Sequence, residues 1–184
     1  MAQRRAAPPY RGALRPPSDD YQTETIMSIC YLSGVISGVT LSQSAGWRIS
    51  VAERLAAEGW TVADPLRGSQ AYRSPRKIIR PSEYPPDEPT MSDMAFFSRD
   101  LHDISKCDVL LANVLECDKA SIGTAFELAW GAILPQCLVV IALTPKGPMD
   151  HPFVRHSGVV FHDLSEAVDF VISSAPTESE EAAA

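Results

Sequence analysis

The chain has 184 residues, a net charge of -7 and a sequence pI near 5.0, with 45% hydrophobic and 21% charged residues. That length fits a single folded domain. The acidic balance argues against a nucleic-acid phosphate track and an anionic membrane surface, and no apolar run approaches the roughly 20 residues that span a bilayer.

Residues 1–26 are rich in Pro, Arg and Ala and are predicted to be disordered; a polypeptide starting at Met27 would keep the whole domain, expected over residues 27–175. Residues 28–33 read as a first strand buried on both faces, followed by a loop with Gly34 and Gly38. Next comes a helix whose apolar stripe is read as Trp47, Ile49, Val51, Ala52, Leu55 and Ala56, with Arg48, Glu53, Arg54 and Glu58 opposite. Gly59 stops that helix, and residues 60–63 form a short second strand.

The stretch 65–89 holds six prolines and reads as a functional loop or lid. Thr90-Met-Ser-Asp93 has the form of a capping box, with Asp at its last position, and opens a helix running to about Ser105. Phe97, Leu101 and Ile104 mark its buried side, Asp100 flanks them and Asp103 lies nearer the exposed face. Residues 107–113 are a third strand. The helix carrying Glu127 is apolar nearly all round, so it is expected to be buried. Strands at 137–143 and 158–161 and a helix from Ala167 to about Ser173, capped near Asp163, complete the domain. The acidic tail 176–184 is expected to fray.

Strands of continuous apolarity alternating with helices imply an α/β, flavodoxin-like (Rossmann-like) fold. The expected core is a five-stranded parallel sheet of order 2-1-3-4-5 with helices on both faces. Ligands then bind beyond the carboxyl ends of the strands, where the loops after strands one, two and three converge.

Glu127 is the central candidate at that edge. Thr124-x-x-Glu127 has the form of a capping box, which would make the acid a helix-start device. Alternatively, a carboxylate in an apolar helix needs a partner or a chemical task. Asp100 is either a surface ion pair with Arg99 or Lys106 or a second reactive carboxyl. Ser121, Gly123 and Thr124 either cap the helix or offer amides to an anion. Gly34 and Gly38 form Gly-x-x-x-Gly, which is not the dinucleotide fingerprint. Asp64 and Arg67 are an ion pair across a turn or substrate contacts. The four histidines show no metal spacing, and neither a Gly-x-Ser-x-Gly elbow nor a P-loop is present. The cysteines at 30, 107, 117 and 137 form no C-x-x-C pair and read as buried thiols of a reducing cytoplasm. Only Cys117, beside Asp118, has a polar setting.

Taken in order, Tyr31-Leu-Ser-Gly34, Trp47-Arg48, Asp64-Pro-Leu-Arg-Gly68, Asp100-Leu-x-x-Ile104, Asp108 to Asn113 and Ser121-x-Gly-Thr-x-x-Glu127 resemble the nucleoside 2-deoxyribosyltransferase family. The match runs from about residue 28 to 172. The resemblance implies a flavodoxin-like fold, Glu127 as nucleophile and Asp100 as the residue that handles the base. Tyr31 and Ser33 would line the pocket and help hold the carboxylate. It also implies homo-oligomers with sites near subunit interfaces, a small nucleoside or nucleotide and a free nucleobase as substrates, and no metal or organic cofactor. Ser121 stands where many transferases carry Asp. In this it is similar to the related nucleoside 5'-monophosphate N-glycosidases, and the loop of Ser33, Gly34, Ile36, Ser37 and Gly38 resembles their phosphate-holding loop. That loop usually offers an arginine, and Ser37 is found here instead. Asp150 or His151 falls near the family's subunit-crossing Asn. Transfer, hydrolysis of a monophosphate, and nucleotide sensing without catalysis are the three functional expectations.

Overall fold

A computed structural model describes residues 28–68 and 92–175. The expectations for residues 1–26, for most of the proline-rich stretch and for the tail from 176 lie outside the described residues. The strands are β1 (Ile29–Gly34), β2 (Thr61–Ala63), β3 (Val109–Val114), β4 (Leu138–Leu143) and β5 (Val159–Phe161). They form one all-parallel sheet in the order β2-β1-β3-β4-β5, the order expected from the sequence. The helices are α1 (Leu41–Ala57), α2 (Asp93–Ile104), α3 (Ile122–Ile133), the short α4 (Pro152–Arg155) and α5 (Leu164–Ser173). The short α4 has no counterpart in the sequence reading. The last helix begins at Leu164, directly after its cap Asp163, rather than at Ala167.

Alternate strand residues face opposite sides of a sheet. Tyr31, Leu110, Ala112 and Ile141 therefore pack together on one face with Leu128 of α3. Cys30, Leu32, Leu111 and Val140 pack on the other with Val51 and Leu55 of α1 and Val168 and Val171 of α5. This two-sided burial is why the strands read as continuous apolar runs. Tyr31 and Ser33, two apart, point to the α3 side.

Three helix faces differ from the sequence reading. In α1 the buried positions are Ser44, Arg48, Val51 and Leu55, while Ile49 is 57% exposed. The stripe is turned by about one position because Arg48, only 1% exposed, places two guanidinium nitrogens on main-chain carbonyls. It donates to the carbonyls of Ser44 and Gly34, the latter at 3.0 Å, and lies 4.5 Å from the ring centre of Trp47. In α2 the cap is Ser92, whose Oγ accepts from the Ala95 amide, and Ile104 alone is buried. Phe97 and Leu101 are exposed, whereas Asp103, read as nearer the solvent face, is largely covered and pairs with Arg67 at 2.5 Å. In α3 only Thr124, Leu128 and Gly131 are buried. Ile122, Phe126 and Ile133 are exposed, so this apolar helix is not enclosed on all sides.

Gly34 ends β1 at a point of close approach. A Cβ there would sit 2.8 Å from the Asn113 carbonyl oxygen and 3.0 Å from the Trp47 ring. Glycine lets the chain leave the sheet between β3 and α1 without displacing either.

Candidate active site

Helix α3 places Glu127. Its N-cap is Ser121, whose Oγ accepts from the Thr124 amide at 3.3 Å and from the Thr124 hydroxyl at 3.0 Å. The helix thus starts three residues earlier than a Thr124 cap would require, and Glu127 lies in the second turn. The capping-box reading of Thr124 and Glu127 is corrected on this ground: the carboxylate is too far into the helix to reach its free amides. It points instead at the sheet. Tyr31 donates its phenolic O–H to Glu127 Oε1 at 3.0 Å, and Ser33 donates its hydroxyl to Oε2 at 2.5 Å.

Burial is the main influence on this carboxyl and raises its pKa from 4.5 to about 7. The Ser33 bond opposes the rise, the negative charge of Asp100 adds to it, and the Tyr31 bond and the Arg48 charge oppose it further. The phenol of Tyr31 is pushed far upward, first by burial and then by the Glu127 charge, and stays a donor.

Asp100 enters from α2. Its Oδ1 accepts from Nε and Nη2 of Arg99, both at 3.2 Å. Burial raises its pKa, and the Arg99 charge and hydrogen bonds offset part of the rise. The expected pair with Arg99 is therefore present, and the same side chain also faces the cavity shared with Glu127.

That cavity, of about 540 Å³, lies beyond the carboxyl ends of β1 and β3. Of the residues singled out in the sequence, it brings together Gly34, Ile36, Asp100, Ser121, Gly123, Thr124 and Glu127. Tyr31 and Ser33 stand behind Glu127 and bond to it. Gly38 adjoins the cavity through Lys119, whose Nζ lies 2.8 Å from where a Gly38 Cβ would be. Asp64 and Arg67 are placed elsewhere. Asp64 Oδ1 accepts from the Leu66 amide and lies 3.7 Å from Arg48 Nε, while Arg67 donates to the Asp64 carbonyl and pairs with Asp103. Their side chains do not pair with each other; they pin the loop after β2 to α1 and α2. Asp150 and His151 are also outside the cavity lining: Asp150 pairs with Arg155, and His151 caps α4.

Sequence reasoning missed Lys119, Phe96 and Pro65 in the lining. Phe96 carries no motif, and Pro65 stands inside Asp64-Pro-Leu-Arg-Gly68 without being singled out. Lys119 could have been noticed as a cation two residues before the helix cap. It also missed the burial of Arg48, which apolar periodicity assigned to solvent. Among the described residues no group of three or more His, Cys, Asp or Glu side chains could hold a metal ion, and no helix is long and apolar enough to cross a membrane.

The architecture is that of a flavodoxin-like α/β domain with two carboxyls lining one cavity at its switch point. Structural comparison supports the fold. A 2-deoxyribosyltransferase from the psychrotolerant bacterium Bacillus psychrosaccharolyticus superposes with a TM-score of 0.50 at 16% identity, over 83% of this chain and 95% of that one. A conserved protein from Enterococcus faecalis V583 gives 0.50 at 14% identity, over 79% and 99%. The Clostridium botulinum CMP N-glycosidase BcmB gives 0.44 at 16% identity, over 78% and 97%, a fit too loose to carry weight. No protein-family model and no curated protein matches the chain.

Proposed function

We propose that this chain is a nucleoside 2-deoxyribosyltransferase that cleaves the N-glycosidic bond of 2'-deoxynucleosides and passes the sugar to another base. One observation carries the reading: Glu127 is held at both oxygens by neutral hydroxyls and shares an open cavity with Asp100. A carboxylate serving only its helix would bond to that helix's amides. The deoxyribosyltransferase noted above, which shares the fold, is consistent with this choice.

In the first step a Glu127 oxygen bonds to C1' as the C1'–N bond breaks and its electron pair leaves with the base. Asp100 gives that nitrogen a proton, directly or through water. A covalent deoxyribosyl ester remains. In the second step the nitrogen of an incoming base attacks C1', the ester C–O bond breaks, Glu127 is regenerated, and the incoming base loses its proton to Asp100. Tyr31 and Ser33 orient the nucleophile and stabilise the carboxylate as it departs. The chain works in the cytoplasm and assembles as a homo-oligomer. Phe97, Leu101, Ile122, Phe126 and Ile133 support assembly, because they leave apolar side chains exposed on the helices that carry the two carboxyls.

Hydrolysis of a (deoxy)nucleoside 5'-monophosphate is a second reading, favoured by Ser121, which puts a hydroxyl rather than a carboxylate on the cavity wall. A single assay tests both. Deoxynucleosides and their monophosphates are incubated with and without a second free base, and products are separated by chromatography. Exchange of bases is expected, and Glu127→Ala should lower it by at least about a thousandfold. Release without exchange would select hydrolysis. Full turnover in Glu127→Ala would remove the nucleophile, and nucleotide binding without any base release would favour a sensing role.

A further inference from the structure

We infer that Arg99 is a positioning residue that holds one oxygen of Asp100 and so assigns the proton of base release to the other. This deepens the proposed glycosyl chemistry and rests on it for the reaction. Arg99 is not among the described residues that line the cavity, yet it touches three that are: Pro65, Phe96 and Asp100. Side chains at adjacent helix positions diverge, so its contact with Asp100 does not follow from spacing alone.

The guanidinium is fixed by both neighbouring elements. Nη2 donates to the Pro65 carbonyl at 2.6 Å and Nη1 to the Arg67 carbonyl at 3.5 Å, both in the loop after β2. Phe96, three residues earlier on α2, supports its plane, with Cζ 4.8 Å from the ring centre. From that seat Nε and Nη2 both donate to Asp100 Oδ1, each at 3.2 Å.

Two donors occupy the lone pairs of Oδ1, and among the described residues nothing hydrogen-bonds to Oδ2. A proton on Asp100 therefore rides on Oδ2. Arginine suits this task because it stays charged and neither takes nor gives that proton, and its planar fork presents two N–H groups at once, which an ammonium does not. Burial raises the Asp100 pKa; the Arg99 charge and hydrogen bonds oppose the rise, Asp103 adds to it and Arg67 opposes it. Glu127 of α3 and Tyr31 of β1 also face this carboxyl, and Lys119 borders the shared cavity. Without Arg99 the proton would be held more tightly and could sit on either oxygen, making a weaker and less directed acid.

The test compares wild type, Arg99→Gln and Arg99→Lys on two 2-deoxyribosides, one bearing a nucleobase whose nitrogen needs a proton to leave, the other a nitrophenolate that leaves without one. The first-turnover rate of leaving-group release is measured at saturating substrate, and kcat/KM is followed against pH. On the nucleoside, Arg99→Gln should slow release by about ten- to a hundredfold, with the half-saturating concentration changed by less than about twofold. Its alkaline limb, where Asp100 must still hold a proton, should move upward. Arg99→Lys should keep the limb in place and recover part of the rate. On the nitrophenyl compound the three proteins should agree within about twofold. Equal losses on both compounds, or an unmoved alkaline limb in Arg99→Gln, would make Arg99 a structural tie and overturn the inference, while base release by the wild type leaves glycosyl chemistry standing. Should no protein release either group, the glycosyl reading fails, and NMR titration of the Asp100 carboxyl carbon decides the clamp by itself. A midpoint higher in Arg99→Gln than in the wild type upholds it, and an unmoved midpoint overturns it.

Discussion

The two faces of the sheet each hold a charged side chain, Arg48 buried and Glu127 half-buried, and treat it in opposite ways. On the α1 face, Arg48 is closed in: carbonyls of Ser44 and Gly34 take its protons, and Trp47 covers its plane. On the α3 face, Glu127 receives two hydroxyl protons and still borders an open cavity. A buried charge bonded to backbone carbonyls at two of its nitrogens, with Asp64 near the third, is part of the scaffold. A half-buried charge hydrogen-bonded only by neutral donors, and destabilised enough to raise its pKa to about 7, retains reactivity.

Breaking the scaffold side should have the larger effect on stability. Arg48→Met removes the donor to the buried Gly34 carbonyl and the cation near Asp64, so unfolding free energy should fall by about 3 kcal/mol, read from denaturant midpoints. A loss under about 0.5 kcal/mol would mean that Arg48 is not the closed charge described.

Glu127→Gln should act in the opposite direction. The folded pKa lies above the ordinary 4.5, so the folded state holds this proton more tightly than the unfolded one. Wild-type stability from this group is present below about 4.5 and is lost as pH rises through about 7. The variant should therefore match the wild type at pH 4 and exceed it by on the order of 2 kcal/mol at pH 8. Melting curves at the two pH values check the sign, and a gain at pH 4 alone would contradict it.

Tyr31→Phe sharpens the contrast most finely. Removing one donor to the carboxylate should raise the Glu127 pKa further and move the acid limb of kcat/KM upward by about one pH unit. An unmoved limb would mean that the limb reports another group.

The sheet was legible because its strands are apolar on both faces, a pattern that half-exposed strands do not show. The switch-point location of the cavity followed from strand order alone. Helix rotation was harder. Arg48 lies inside because backbone carbonyls accept its charge, and hydrophobic periodicity carries no trace of that. Glu127 was ambiguous because Ser121 and Thr124 are both competent caps three residues apart; only the observed helix start separates them. Phe126 and Ile133 read as buried because apolarity was taken for enclosure, whereas a helix on the outer layer of a single sheet has one face that no described residue covers. Lys119 was passed over because a lone lysine in a loop has no local signature, and the Gly38 contact that gives it meaning spans 81 positions of chain.

Gly34 joins these themes in one atom's worth of space. Its carbonyl receives Arg48, its missing side chain admits the Asn113 carbonyl and the Trp47 ring, and its backbone begins the cavity rim. Attempts to engineer substrate range through the first loop should therefore start at Val35 and leave position 34 alone. A methyl group placed there would be transmitted to the foundation of the molecule before it ever reached the bound compound.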